Sequence, residues 1–174
     1  NPYKGLRPFS ETDASDFFGR SALIERLVAR LEQSHPGSRF LAVVGPSGGG
    51  KSSVVRAGLV PAIRHGALGD PSDRFVAEMF PGTHPIQELE AALLRIAVRP
   101  ASRLRDTLES DSRGLLEAIA LIAPADAEVV LVVDQFEELF TLTANERDRE
   151  LFLDALRVAC VDPESRVRVI ATLR

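Results

Sequence analysis

The chain has 174 residues, of which 45% are hydrophobic and 26% are charged, a balance that favours one folded domain with a substantial core. Its 21 basic and 25 acidic residues give a net charge of −4, so the composition does not indicate a general nucleic-acid-binding surface. No apolar run is long enough to cross a bilayer, and no secretory signal begins the chain. Cys160 is the single cysteine, which allows no internal disulfide. We therefore predict a cytoplasmic protein without membrane contact.

The first third of the chain leads into a short buried strand. Residues 1–18 are polar and rich in turn residues, and they predict a strap or loop. Apolar residues recur at helical spacing over residues 21–31. Residues 40–44 form a continuous apolar run, which predicts a parallel strand covered on both faces. A helix is expected from Lys51 to about Arg64, with a disturbance at Pro61.

The rest of the chain alternates strands and helices. Strands are predicted at residues 74–80, 129–133 and 167–173. Helices are predicted at residues 85–98, as one or two segments within 101–122, and from a cap at Asn145 to about Cys160. Such alternation is typical of an α/β fold, here a three-layer αβα sandwich with a mainly parallel sheet.

A glycine-rich turn joins the first predicted strand to the helix that follows it. The run Gly45-Pro46-Ser47-Gly48-Gly49-Gly50-Lys51-Ser52 fits the phosphate-loop pattern G-x-x-x-x-G-K-[ST] in full. Glycines let successive amides point at phosphate oxygens, and the new helix aims its positive end at the same place. Lys51 would contact the β- and γ-phosphates, Ser52 would ligate Mg²⁺, and Ser53 could reach the α-phosphate. A chance match in a chain of this size is expected less than about 1% of the time.

Acidic residues follow the strand at 129–133. Asp134 ends the apolar run, where a carboxylate is costly unless it has a cation or hydrogen-bond partners, so we expect it to help hold Mg²⁺. Glu137 or Glu138 could orient or deprotonate the attacking water, and Glu137 is preferred, although both also suit an ordinary helix start. If the last strand lies beside the strand of Asp134, Arg174 reaches the same edge near the γ-phosphate.

These motifs together resemble the STAND-class NTPases of the AAA+-related branch of P-loop proteins, and most closely the bacterial novel STAND type often attached to WD-repeat or TPR arrays. The resemblance covers nearly the whole chain. The matching segments are Asn1-Pro2-Tyr3-Lys4-Gly5-Leu6-Arg7-Pro8-Phe9, Phe17-Phe18-Gly19-Arg20, the phosphate loop with its flanks, Asp134-Gln135-Phe136-Glu137-Glu138-Leu139-Phe140, and Ala171-Thr172-Leu173-Arg174.

The resemblance implies a P-loop NTPase fold of the additional-strand type. In that fold the strand at 167–173 inserts between those at 40–44 and 129–133, and the strand at 74–80 lies outermost. Residues 1–174 would be a single nucleotide-binding domain core, with the fifth strand, helical lid and winged-helix segments of the family absent. The strand at 40–44 would then be an apolar sheet edge that invites association.

The resemblance also implies ligands and behaviour. Phe18, Gly19 and Arg20 would lie near the adenine, although Ser21 stands where the family often has an acid, and Arg174 would be the sensor arginine. ATP or ADP and Mg²⁺ would be the ligands. ADP would hold a closed monomer and ATP would permit self-association, with C-terminal repeat or sensor domains and effector domains in the full-length protein.

Other functions remain open from the sequence. A nucleotide-binding scaffold without hydrolysis is one, because Gln135 stands where many AAA+ relatives carry their catalytic glutamate. A P-loop small-molecule kinase is another, although no acceptor-site pattern follows the loop. An ABC-type transport ATPase is disfavoured because residues 111–128 hold no LSGGQ-like signature, and GTP is disfavoured because no NKxD-like motif is present.

Overall fold

A computed structural model describes residues 20–33 and 36–174. The predicted strap at 1–18, and with it Phe18 and Gly19, lies outside the described residues. Within the described part of the chain, no helix combines the length and the apolar character needed to span a membrane.

Four parallel strands form the sheet. They are β1 (Phe40–Val44), β2 (Arg74–Met79), β3 (Glu128–Val133) and β4 (Val167–Leu173). Their order is β1-β4-β3-β2, with every neighbouring pair parallel. The predicted strand order is confirmed, including the insertion of the last strand between the first and the third.

The helices lie at or close to their predicted positions, except for a short helix at residues 138–141 that was not among those predicted. They are α1 (Ser21–Leu31), α2 (Lys51–Ser53), α3 (Val60–Arg64), α4 (Pro85–Ile96), α5 (Leu104–Ser110), α6 (Gly114–Ile122), α7 (Glu138–Thr141) and α8 (Glu146–Val161), and short 3₁₀ turns cover Pro36–Arg39 and Pro71–Asp73. Residues 101–122 hold two helices. The Asn145 side chain caps α8 by accepting hydrogen bonds from the amides of Arg147 and Asp148, as predicted.

The helix over residues 51–64 is interrupted upstream of Pro61. Between α2 and α3 the backbone forms a π-helical segment, Val54–Leu59, in which the amide of Val60 bonds the carbonyl of Val55. Pro61 itself lies in the first turn of α3, where a missing amide hydrogen costs little. The predicted disturbance at Pro61 was therefore misplaced, because the wider turn comes just before the proline.

Helices pack on both faces of the sheet, so the molecule is the predicted three-layer αβα sandwich. On one face α1 and the helical residues 51–64 bury their apolar side chains against β3 and β4. The core of this face includes Leu31, Leu59, Ile63, Val130, Val132 and Ile170. On the other face α4, α5, α6 and α8 form the larger core, which includes Leu89, Leu104, Leu115, Leu131, Val133, Phe152 and Val169.

Strand β1 is an edge strand with one open face. Leu41 and Val43 contact the core shared with α1, while Phe40 and Val44 point to the opposite face and are 39% and 64% exposed. The prediction that this strand is covered on both faces was wrong. The sequence run is uniformly apolar, but an edge strand lacks the second neighbour that would extend helical cover over it.

Candidate functional site

The alternation of side chains along β3 and β4 determines which groups meet at the carboxyl edge of the sheet. Val130 and Val132 face the layer that holds residues 51–64, so the next residue of that parity, Asp134, faces the same way. Ile170 faces this layer from β4, and Thr172 follows it by two residues. Because Val133 pairs with Ala171 in a parallel register, Asp134 and Thr172 fall side by side beyond the last paired residues.

The glycine-rich loop wraps tightly between β1 and α2. Gly50 has φ 78° and begins α2 from the left-handed region, which a residue with a side chain rarely adopts. A Cβ at Gly49 would lie 3.0 Å from the carbonyl oxygen of Pro46, the same oxygen that accepts the Gly49 amide. The Gly45 amide donates to the Leu173 carbonyl, so the start of the loop is tied to the end of β4.

Lys51 folds back over this loop. Its Nζ donates to the carbonyl oxygens of Gly45 at 2.8 Å and Pro46 at 3.0 Å. The side chain is half-buried, while Pro46, Ser47, Gly48 and Gly49 are exposed. The ammonium is thus held beside an open loop by neutral acceptors, which an anionic ligand can replace with stronger, charge-assisted bonds.

Ser52 and Asp134 are in direct contact, although 82 positions separate them in the sequence. Ser52 Oγ donates to Asp134 Oδ1 at 2.7 Å, and the Asp134 side chain is buried, with a residue exposure of 4%. A hydroxyl and a carboxylate are hard oxygen donors of the kind that Mg²⁺ takes when water and phosphate oxygens complete its shell. The donor chemistry at this corner therefore fits a magnesium ion bound together with a phosphate chain.

Glu137 and Arg174 form an ion pair at the same edge. Arg174 Nε lies 3.0 Å from Glu137 Oε1, and the side chains are 62% and 25% exposed. Glu137 Oε2 is buried and has no hydrogen-bond partner among the described residues. One carboxylate oxygen of Glu137 is therefore held by an arginine, while the other is shielded from solvent and accepts no hydrogen bond from the described residues.

Glu138 points elsewhere. It is the first residue of α7, and its Oε2 accepts a hydrogen bond from the Gly82 amide at 3.3 Å. Thr143 donates to the carbonyl of the same glycine. Glu138 therefore helps to attach α7 to the loop that follows β2. Glu137, which precedes α7, is the glutamate that pairs with Arg174.

The remaining predicted residues are placed as follows. Ser53 ends α2, half-buried, one residue after Ser52. Arg20 is exposed at the start of α1, where its carbonyl accepts the amides of Leu23 and Ile24. The predicted contact of Phe18, Gly19 and Arg20 with adenine stays a prediction, since the first two of these residues lie outside the described part of the chain.

Sequence reasoning gave no role in the site to two residues at this edge, Thr172 near the end of β4 and Gln135 in the turn after β3. Thr172 is 1% exposed and its Oγ1 donates to Asp134 Oδ1 at 2.5 Å. Gln135 has φ 56°, the one positive φ of a non-glycine among the described residues, and its side chain is exposed. The available signal for Thr172 was a threonine in an otherwise apolar strand end, because a buried hydroxyl needs a hydrogen-bond partner.

Comparison with known proteins gives one match. A family model described as Novel STAND NTPase 1 matches residues 2–174. No curated protein and no solved structure matches the chain. The family match covers nearly the whole chain, and so includes both the loop with Lys51 and the strand end with Asp134.

Proposed function

The chain belongs to the Novel STAND NTPase 1 family, and from that membership we propose that it binds ATP with Mg²⁺, hydrolyses it slowly, and serves as a switch domain in a larger signal-transduction protein. The observation that carries the proposal is the meeting of Lys51, Ser52 and Asp134 at one corner of the sheet. Ser52 donates to Asp134 at 2.7 Å, and Lys51 stands over the loop that precedes them.

The loop residues would hold the phosphates. Amides of residues 45–53 and the positive end of the following helix attract anionic oxygens. Lys51 would exchange its two carbonyl acceptors for β- and γ-phosphate oxygens, which are stronger acceptors because they are charged. Phe18, Gly19 and Arg20 would lie near the base, and ATP is preferred over GTP.

Ser52 and Asp134 would hold the metal. When bound, Mg²⁺ supplies neutralisation of the charge on the phosphate oxygens. The protein contributes a hydroxyl and a carboxylate that are already 2.7 Å apart, so little rearrangement is needed to present both to one cation.

Glu137 and Arg174 would act on the water and the γ-phosphate. Glu137 Oε2 is shielded from solvent and unpartnered among the described residues, so it would orient a water or accept its proton once release of Arg174 opens the carboxylate to the site. Arg174 pairs with Glu137 at 3.0 Å and is more than half exposed, so it can turn from that carboxylate to a more highly charged phosphate. Arg174 would thereby sense the γ-phosphate.

A binding scaffold without hydrolysis is the second candidate. Gln135 follows Asp134 directly and its side chain is exposed, so this position offers no carboxylate to activate water. The two candidates predict the same dependence of binding on Lys51. They differ in whether ADP forms from bound ATP.

The switch proposal extends to assembly. Residues 1–174 would form a single nucleotide-binding core, and repeat or sensor domains and effector domains would complete the full-length protein. Self-association would follow ATP binding, and the exposed Phe40 and Val44 on the edge strand β1 support an association surface there. Sedimentation velocity with ATP and with ADP tests this, since equal sedimentation in both nucleotides would contradict a nucleotide-controlled assembly.

Titration calorimetry with Mg-ATP tests the binding site. Lys51→Ala should weaken binding at least about 30-fold, because it removes a charge-assisted contact worth roughly 2 kcal/mol. Lys4 and Lys51 are the two lysines of the sequence, so Lys4→Ala is a control for the loss of one lysine. Unchanged affinity in Lys51→Ala would remove the loop from the site.

A further inference from the structure

The hydroxyl of Thr172 links the end of β4 to the turn that follows β3. Thr172 Oγ1 donates to Asp134 Oδ1 at 2.5 Å and accepts the Gln135 amide at 2.9 Å. The Thr172 carbonyl accepts the Phe136 amide at 2.8 Å. One residue therefore holds the Asp134 carboxylate and two consecutive amides of the turn.

This anchoring occurs where the backbone is strained. Gln135 has φ 56°, a region that residues with side chains seldom occupy. Such a conformation persists only where surrounding contacts hold it. Thr172 supplies that restraint because it accepts hydrogen bonds from the amides of Gln135 and Phe136, one on each side of the Gln135 Cα.

The same hydroxyl leaves the Asp134 carboxylate little rotational freedom. Oδ1 accepts hydrogen bonds from Ser52 Oγ, Thr172 Oγ1 and the Gln135 amide, at 2.7, 2.5 and 3.1 Å. These donors come from three separate parts of the chain, so they fix the carboxylate plane as well as its position. Among the described residues these three donors all bond Oδ1, so the second oxygen of Asp134 can take another partner.

We propose that Thr172 is a positioning residue that orients Asp134 for the metal bound with the nucleotide. This inference rests on the proposed function of the site. A hydroxyl that is 1% exposed at the end of an apolar strand costs free energy unless its bonds repay it, and valine would satisfy the strand equally well. The hydroxyl acts through Asp134, so its loss should weaken the metal-dependent part of nucleotide binding.

The test compares Thr172→Val, which keeps the shape and removes the hydroxyl, with Thr172→Ser, which keeps the hydroxyl. ATP affinity is measured by calorimetry with Mg²⁺ and with EDTA, and thermal unfolding is measured without nucleotide. In EDTA, we expect the ATP affinity of Thr172→Val to lie within about threefold of that of wild type. The Mg²⁺-dependent gain, the factor by which Mg²⁺ increases ATP affinity, should be at least about tenfold smaller in this variant than in wild type. Thr172→Ser should keep that gain.

A second pair of variants shows whether the effect passes through Asp134. In an Asp134→Asn background, Thr172→Val should cause no further loss of the Mg²⁺-dependent gain, because the group it orients is gone. If Thr172→Val does not fold, Thr172→Ala replaces it in both comparisons.

The possible results separate this inference from the proposed function. A Thr172→Val protein that unfolds at lower temperature but keeps the full Mg²⁺-dependent gain would overturn the inference and leave the proposed function standing. An additive loss in the Asp134→Asn background would also overturn it. If wild type and Lys51→Ala bind ATP equally and Mg²⁺ adds nothing, the proposed function fails and this inference falls with it.

Discussion

Replacing Glu137 with glutamine removes a negative charge while keeping the size of the side chain. In the structure Glu137 Oε1 pairs with Arg174 at 3.0 Å, and Oε2 is buried without a partner among the described residues. Glutamine can still occupy the site, but it is a poor proton acceptor and has no negative charge to attract Arg174. The substitution therefore tests both proposed roles of the pair, water activation and γ-phosphate sensing.

The magnitude follows from the exposure of the pair. Arg174 is 62% exposed, so its ion pair with Glu137 contributes no more than about 1 kcal/mol, and Glu137→Gln should change the free energy of unfolding by less than that. Loss of a positioned proton acceptor should slow hydrolysis by about 10²–10⁴-fold, or roughly 2.7–5.4 kcal/mol in the barrier. ATP affinity should be equal or up to about fivefold tighter, because Arg174 no longer has to leave a carboxylate.

The assay uses enzyme in excess over labelled ATP, so that slow formation of ADP is seen within one turnover. Calorimetry with ATP and with ADP gives the affinities. Glu138→Gln is the matched control. Glu138 accepts a hydrogen bond from the Gly82 amide, a bond that the amide oxygen of glutamine can also accept. Its hydrolysis rate should therefore stay within about fivefold of wild type.

Two results would refute this reasoning. If Glu138→Gln abolishes hydrolysis while Glu137→Gln does not, the proton acceptor is the neighbouring residue and the unpartnered oxygen of Glu137 is incidental. If Glu137→Gln weakens ATP and ADP binding equally, Arg174 does not distinguish the γ-phosphate. Bound ATP that never yields ADP in wild type would support the scaffold candidate, and the affinity comparison would still test the sensing role.

Two further predictions concern stability and reactivity. Glu128 bonds both Arg74 and Arg168, at 2.6 Å to each, in a largely buried cluster at the amino end of the sheet. Glu128→Gln leaves two cations without a counter-charge, so it should lower the free energy of unfolding by about 2 kcal/mol. Calorimetry should show this as a fall in Tm of roughly 4–8 °C, and an unchanged Tm would contradict the prediction. Burial raises the pKa of the Cys160 thiol to about 11 against an opposing effect of Arg39, so folded protein should react slowly with iodoacetamide at pH 8 and denatured protein rapidly. Equal rates in the two states would show that the thiol is not shielded.

Much of the fold follows from local sequence. Continuous apolar runs mark β1 and β3, alternation of apolar residues marks β4, and a mixed segment stopped by Pro81-Gly82 marks β2. Helical spacing marks α1 and α4 within two residues of their observed ends. Asn145 marks the start of α8 because its side chain can satisfy free amides there. The strand order came from family resemblance, since periodicity does not say which strands are neighbours.

Errors arose where a residue depends on its neighbours in space. The run at 40–44 is as apolar as a central strand, but only the sheet order makes it an edge with Phe40 exposed. Pro61 indicates an interruption in the helix, but in the structure the π-helical turn covers Val54–Leu59, before the proline. The composition of a segment shows how much apolar surface it can bury, but which elements pack against that surface depends on the tertiary structure.

For the site, the sequence alone determined the glycine-rich loop, Lys51, Ser52 and an acid after a buried strand, because backbone freedom and charge at fixed spacing are local properties. Only the tertiary structure decided that Asp134 meets Ser52 and Thr172, that Glu137 rather than Glu138 pairs with Arg174, and that Thr172 holds the strained turn. These contacts cross between separate strands and helices. They depend on a parallel register in which the carboxyl ends of β3 and β4 lie side by side, and a one-residue slip would turn each side chain to the other face.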